Sequence, residues 1–429
     1  MNTLRQLFGG RGANAGQYGM IIALIVIVAL FEVITGGLTL NPTNVINVFQ
    51  QYSYILILAL GMVMVIIAGH IDLSVGSVAA FVGIIVAQAM REWHWSWWAA
   101  ILLGLAVGAL VGAWQGFWVA IVRVPAFIVT LAGQLIFRGA NQWIGSSTSV
   151  GVPEKFQYIG NGFIPDFGPN TGYSNGTLLL GLVTIAALIW VEARGRARRR
   201  KMKAELLPLW VSIVRTGVLV AVTLFATYLF GAGAAGTSVP VVAIIAGVLT
   251  IVYGFVTRNT IFGRQVYAIG GNAHAAALSG VSIRRVNFFV MANMSVLAAI
   301  AGMVYVGYAG ASGPSDGTGW ELDAIAAVFV GGAAVSGGIG TVAGSIVGAL
   351  VMALLTNGLQ LVGVESNKQQ IIRGLVLLLA VAFDVYSKTQ GRPSIIGNLM
   401  KPFQRSKEEA VAIPQQPQSI DDQSKISLP

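Results

Sequence analysis

The sequence predicts an all-α, polytopic integral membrane protein with about 12 transmembrane helices, and three observations carry that expectation. Of its 429 residues, 55% are hydrophobic and only 10% are charged, against roughly 25% charged in an ordinary soluble domain. Its 26 basic and 16 acidic side chains cannot cover the aqueous surface of a globule this size, which excludes a typical soluble enzyme. Apolar runs recur along the chain at lengths near the ~20 residues that a bilayer-spanning helix needs. Helices are expected because each unpaired backbone group in hydrocarbon costs several kcal/mol and a helix pairs its own. If the runs cross alternately, twenty of the 26 basic residues collect on one side, five fall on the other and Arg215 lies within a run. That is a positive-inside bias, and it puts both termini in the cytoplasm of a multi-pass membrane protein.

The first run, Tyr18–Thr35, follows Arg5 and Arg11 in the layout of a signal peptide. Its core exceeds the roughly 7–15 residues of a signal and no A-x-A-like site ends it, so it reads as an uncleaved span. Residues 1–14 are then a cytoplasmic N-terminus and 15–387 the transmembrane domain. The next runs are Tyr52–Ala68, Ser74–Met90, Trp97–Val122, Ala126–Trp143 and Thr177–Val191. A second series covers Leu206–Phe230, Val239–Val256, Phe288–Ala309, Leu322–Val335, Val342–Leu361 and Ile371–Val385. The run from Leu322 is short, glycine-rich and the weakest of the twelve.

Between the sixth and seventh runs lies a basic loop, 193–205, with Arg194, Arg196, Arg198, Arg199, Arg200, Lys201 and Lys203. Flanked by two spans and lacking interleaved aromatics, it reads as a topological anchor near anionic lipid headgroups rather than a nucleic-acid patch. Residues 388–429 turn polar, with Pro414, Pro417 and repeated glutamines, and are expected to be a disordered cytoplasmic tail. The loop Gly145–Gly176, on the other side, reads equally as a docking surface or a plain connector.

Glycine occurs 54 times. Gly104, Gly108, Gly112 and Gly116 share one helix face, as do Gly340, Gly344 and Gly348, and small residues at that spacing let neighbouring helices approach closely. Asp72, Glu321 and Asp323 each sit at or just before the start of an apolar run, where a helix N-terminus favours a carboxylate; they are candidates for structural or gating roles. No catalytic constellation appears. With no cysteine, three histidines at non-ligand spacing and no G-x-x-x-x-G-K-[ST], the chain is expected to hold no metal or cofactor, to bind no nucleotide itself and not to be an enzyme.

The stretch Arg258–Arg285 (RNTIFGRQVYAIGGNAHAAALSGVSIRR) is polar, basic and punctuated by glycine, with a helix-compatible piece, Ala273–Ser279, between Gly271 and Gly280. Together with Ile71–Gly76 (IDLSVG), Val124–Gly133 (VPAFIVTLAG), Arg138-Gly139, Glu321–Ala327 (ELDAIAA), Gly331-Gly332 and Gly337–Gly344 (GGIGTVAG), it resembles the permease subunits of bacterial ATP-binding-cassette importers for monosaccharides, the ribose, arabinose and xylose class. The resemblance extends from about residue 50 to 386. It is closest to the xylose-type branch, because the hairpin around Arg194–Lys203 is similar to theirs and Trp114-Gln115-Gly116 stands where ribose permeases carry an Asn-Gly pair. It implies a ten-helix core with an inserted helix pair, two permease copies around one path, a cytoplasmic ATPase subunit and a periplasmic sugar-binding protein. It also implies that the cytoplasmic loop 258–286 docks the ATPase, through Gly263, Arg264, Gly270, Gly271, Asn272, Ala276, Leu278, Ser279 and Gly280. Candidates for a weakly polar substrate path are Gln115, Thr130, Gln134 and Asn141. The tail after Ser387 departs from the family core. The runner-up is an ion-coupled secondary sugar transporter, against which the placement of the carboxylates at span ends argues.

Overall fold

In the computed structural model, residues 15–169, 172–202, 208–234 and 236–389 are described. The expected N-terminal segment 1–14 lies outside them, as does the tail 388–429 except for Lys388 and Thr389, which continue the last helix. One compact unit runs to Asp384, and a second, short unit from Val385 is described only as helix to Thr389.

Among the described residues there are fourteen α-helices: α1 (Ala15–Ile34), α2 (Pro42–Ile67), α3 (Val75–Arg91), α4 (Trp97–Gly116), α5 (Ala126–Ile144), α6 (Glu154–Asn161), α7 (Asn175–Lys201), α8 (Leu209–Gly231), α9 (Val241–Asn259), α10 (Ile261–Leu278), α11 (Ile283–Ala309), α12 (Trp320–Val330), α13 (Val342–Leu361) and α14 (Ser366–Thr389). A π-helical turn, Phe117–Val122, extends α4, and two short strands, β1 (Val150–Gly151) and β2 (Ala311–Ser312), pair antiparallel. Among the described residues seven helices are long and apolar enough to cross a membrane: α2, α4 with its π turn, α7, α8, α9, α11 and α13. Helices α5 and α14, of 19 and 24 residues, carry Arg138 and Arg373 within them.

Burial separates the core from the lipid-facing shell. The apolar stretch of α2 is 94% buried, whereas that of α8 is only 11% buried. The expected inserted pair, α7 and α8, packs chiefly on itself, with Leu182, Val183, Ile213 and Val222 facing outward. Its basic end corrects the sequence reading: α7 continues as helix through Arg194–Arg200 to Lys201, so most of the expected loop 193–205 is helical. Residues 203–207 lie outside the described residues. Arg194 lies over the Trp190 ring at 4.9 Å and Arg196 donates to Ser212 Oγ at 2.5 Å, which ties the helix end to α8.

The first glycine stripe does what its spacing requires; in the second, Gly340 precedes α13 and lies against Ile67 and Ala333, so that only Gly344 and Gly348 share a helix face. Along α4, a Cβ at Gly104 would strike Met303, at Gly108 Ala299, at Gly112 the Ala292 backbone and at Gly116 Phe288, so α4 lies directly on α11. In α13, Gly344 and Gly348 lie against the backbones of Gly331 and Ala327, at the end of α12. Leucine at Gly112 should therefore cost at least the ~1–3 kcal/mol typical of overpacking, because backbone and not a movable side chain is in the way. Leucine at Gly247, where nothing lies within 4 Å, should leave the thermal midpoint in detergent unchanged; equal midpoints for the two variants would contradict this packing.

The weakest expected span is corrected. In place of a run crossing from Leu322 to Val335, α12 has 11 residues, about 16 Å of helix, which falls well short of the ~30 Å hydrocarbon thickness. Its first residues, Trp320, Glu321 and Asp323, are buried, after a run of turns that follows β2. The loop Gly145–Gly176 is also more than a connector. It contains β1 and α6, and Gly160 of α6 fits against the backbone of Val304, Gly307 and Tyr308 on α11.

Candidate functional site

Two places gather the candidate residues, and the first is one end of the bundle. Most of the expected loop 258–286 is helix, because Thr260 ends α9 and starts α10: its Oγ donates to Val256 O and accepts from Gly263 N at 3.1 Å. The chain reverses so tightly there that a Cβ at Gly263 would run into the Val256 and Thr257 carbonyls. Gly270 touches Ile67 O and Gly338 N, Gly338 N donates to Ile67 O at 2.9 Å, and Tyr267 Oη donates to Gly340 O at 2.7 Å. The first half of α10 is thereby clamped to the end of α2 and to the turn after α12.

At Asn272 the backbone leaves helical geometry (φ −161°, ψ 100°), and its Oδ1 accepts from Ala275 N at 2.9 Å. Asn272 is thus the N-cap of a second, six-residue helix segment. That segment stops in a Schellman arrangement: Gly280 N donates to Ala277 O, Val281 N to Ala276 O, and Gly280 takes φ +84°, which glycine adopts without a Cβ penalty. Ser279 Oγ returns to Ala275 O at 3.0 Å. Of residues 271–280 only Ala276 is buried; Leu278 is 79% exposed, and Arg264 is exposed on the preceding turn. The segment is thus a capped helix of small residues with one protruding leucine.

The second place is inside the bundle, where two broken segments meet. After α2 the chain runs extended through Asp72 and begins α3 at Val75; after α11 it turns through Gly313–Gly319 and begins α12 at Trp320. The two helix starts touch. A Cβ at Gly76 would strike Gly317 O, and one at Gly317, whose φ is +74°, would strike Gly76 O. Trp320 stacks on Tyr54 with ring centroids 4.1 Å apart, which fixes the start of α12 against α2.

One face of α5 carries Thr130, Gln134, Arg138 and Asn141, at helical spacing, and all four reach these breaks. Thr130 Oγ lies 3.4 Å from Ile71 O, and Gln134 Nε2 donates to Glu321 Oε1 at 2.8 Å. Arg138 donates to Thr318 Oγ at 2.5 Å and to Gly317 O at 3.3 Å, and Asn141 Nδ2 lies 3.3 Å from Gly313 O and Pro314 O. On the α2–α3 side, Asp72 Oδ1 accepts from Ser74 N at 2.8 Å and Ser74 Oγ at 2.6 Å; Gln115 Nε2 donates to Ser74 Oγ at 2.6 Å. Asp72 therefore closes a turn ahead of α3 and does not cap its amides.

This geometry sorts the path candidates. Gln115, Thr130 and Asn141 are fully buried and bonded within the chain, where they brace the two breaks. Gln134 is half-buried and is the one that borders accessible space. Asp72, Glu321 and Asp323 do lie at helix starts, but those starts are buried, with exposures of 0%, 6% and 3%. Ser74 sits against Gly133, seven residues and roughly 10 Å along α5 from its start. These carboxylates therefore lie at buried helix starts and not, as the sequence suggests, at exposed span ends. Asp323 is paired with Arg373, whose Nη1 donates to both carboxylate oxygens at 3.0 and 3.1 Å. Asp72 Oδ2 and Glu321 Oε2 are buried without a hydrogen-bond partner among the described residues. The residues missed at the sequence level are Arg138 as a bond to the α12 start and Arg373. The four-residue spacing from Gln134 could have flagged the first; no local signal links Arg373 to Asp323, fifty positions away.

No group of three or more acidic or histidine side chains suited to a metal ion occurs among the described residues.

Residues 44–381 match the model of a family described as "Branched-chain amino acid transport system / permease component". The chain is 38% identical over 383 residues to the xylose transport system permease protein XylH of Haemophilus influenzae, covering 89% of this chain and 99% of that one. It is 38% identical over 382 residues to XylH of Escherichia coli K12, covering 89% and 94%. The ribose import permease protein RbsC of Escherichia coli K12 is 32% identical over 365 residues, covering 85% and 92%. No solved structure matches the chain significantly. A multi-pass membrane protein and not an enzyme, the chain belongs to the branched-chain amino acid transport system permease component family.

Proposed function

We propose that the chain is the permease subunit of an ATP-binding-cassette importer that carries a monosaccharide, D-xylose or a related pentose or hexose, across the inner membrane. The observation that carries this reading is the capped helix segment Ala273–Leu278, which stands on Ala276 alone and presents Leu278 outward. A cytoplasmic ATPase subunit docks there. Its motion passes through Gly270, which is held against Ile67 and Gly338, into α2 and the turn that follows α12. Both termini and the basic end of α7 lie on that same cytoplasmic side, where Arg198, Arg199 and Arg200 meet anionic lipid headgroups.

A periplasmic sugar-binding protein delivers the ligand at the opposite end, onto the surface that α6 and the β1–β2 pair build. Two permease copies enclose one path. On α5 the polar face is turned inward to the breaks, and Phe127, Leu131 and Leu135 are exposed, so an apolar face is available for a second copy or for lipid. The motion that opens the path separates or reorients the α3 and α12 starts, with Asp72, Glu321 and Asp323 holding them in register.

The family description speaks of branched-chain amino acids, whereas the relatives' names speak of xylose and ribose. The sugar reading is supported by the similarity to those relatives, which extends over 99% and 94% of the two XylH chains and 92% of RbsC. Proteoliposomes containing the chain, its ATPase and its binding protein should take up labelled D-xylose, with no competition from leucine in excess. Uptake of leucine without uptake of any pentose or hexose would reverse the assignment.

A further inference from the structure

A cavity of about 320 Å³ lies between α12, α13 and α14, lined by Leu322, Asp323, Met352, Gln370, Arg373 and Leu377 among others. Its volume is at the low end of the roughly 300–1,000 Å³ of small-molecule pockets, a scale that suits one sugar ring better than a disaccharide. Arg373 uses one nitrogen, Nη1, for both Asp323 oxygens. Among the described residues nothing takes its Nη2 and Nε donors or either end of the Gln370 amide. The guanidinium is nonetheless fixed in orientation, because Asp323 is 5% exposed on its side chain and cannot move with it, while Arg373 keeps 24% exposure toward the open space.

The chemistry of this lining is selective. The ion pair supplies directional donors without adding net charge, and Glu321, whose Oε1 accepts from Gln134, also lines the space, so the lining has no net positive charge and suits a neutral polyol better than an anion. A planar Arg fork beside an amide matches two adjacent hydroxyls, each both donor and acceptor. Met352 and Leu377 give the apolar surface that a sugar's C–H face covers. We propose that this cavity is a monosaccharide subsite inside each protomer. Gln370 and the free nitrogens of Arg373 take a vicinal pair of hydroxyls there, so that the permease itself contributes to sugar selection. The inference rests on the sugar-importer reading and adds a site to it.

The test is saturation-transfer-difference NMR with D-xylose on the permease–ATPase complex in nanodiscs, with no binding protein present. Wild type should give a signal, and Gln370→Leu, which removes the amide at an exposed position, should reduce it fivefold or more. Leu377→Trp, which fills the cavity from a half-buried position, should do the same. Leucine in place of xylose should give no signal. No wild-type signal at tens of millimolar xylose, or a signal that both variants leave unchanged, overturns the subsite while ATP-dependent wild-type sugar uptake leaves the importer reading intact. Absence of that uptake for every pentose and hexose overturns the reading and this inference with it.

Discussion

Leu278→Asp should abolish ATP-driven sugar uptake while the chain inserts, folds and elutes as wild type does. The two halves of that expectation come from the same geometry. Leu278 is 79% exposed and ends a segment whose one buried residue is Ala276, so the fold loses little when its side chain changes. For a partner that docks on the segment, Leu278 is the large apolar anchor among small neighbours. Truncating such an anchor costs about 2 kcal/mol or more, roughly 30-fold in affinity, and a carboxylate left in the contact adds a desolvation cost. Co-purification of the ATPase on the tagged permease reads the effect directly. Gly217→Ala is the control: a Cβ there meets nothing within 4 Å and the position is on α8, outside the docking segment, so the ATPase should still co-purify. Retention of ATPase and uptake by Leu278→Asp would remove the segment from the coupling mechanism.

Arg373→Met should be the most destabilising single change among the polar residues described. It leaves Asp323, 3% exposed at the start of α12, as an uncompensated buried charge, and breaking a buried pair from one side costs about 3–5 kcal/mol. The double variant Asp323→Leu/Arg373→Met should recover most of that loss, since replacing both partners by apolar groups removes the orphaned charge. Thermal unfolding of the purified protein separates the two outcomes. If the double variant is as unstable as the single one, the pair is holding α12 to α14 in a way that apolar packing cannot replace.

Much of this architecture was legible in the chain because hydrocarbon imposes strong rules. Apolar runs marked most helices, and the glycine spacing at Gly104, Gly108, Gly112 and Gly116 announced a close helix contact before its partner, α11, was known. The short helix after Asn272 was legible too, since Gly271 and Gly280 bracket it in the sequence. What the runs could not convey was a break in helix that stays inside the bundle. The run from Leu322 has the hydropathy of a span but only 11 helical residues, because its start is held by Trp320 on Tyr54 and by Gly317 on Gly76, contacts made across more than two hundred positions. For the same reason Gln115, Thr130 and Asn141 read as path residues: polarity within a span is visible in sequence, but whether it faces a path or a neighbouring backbone is decided by tertiary contacts.

We propose that this permease does no work of its own and is driven through α10 by a nucleotide-hydrolysing partner. This is tested most directly by measuring labelled D-xylose accumulation in vesicles, with and without the ATPase subunit and ATP, under imposed proton or sodium gradients. Accumulation should require the ATPase, internal or external ATP on its own side and the binding protein, and should be indifferent to either gradient. Uphill accumulation by the permease alone, driven by one of those gradients, would contradict it.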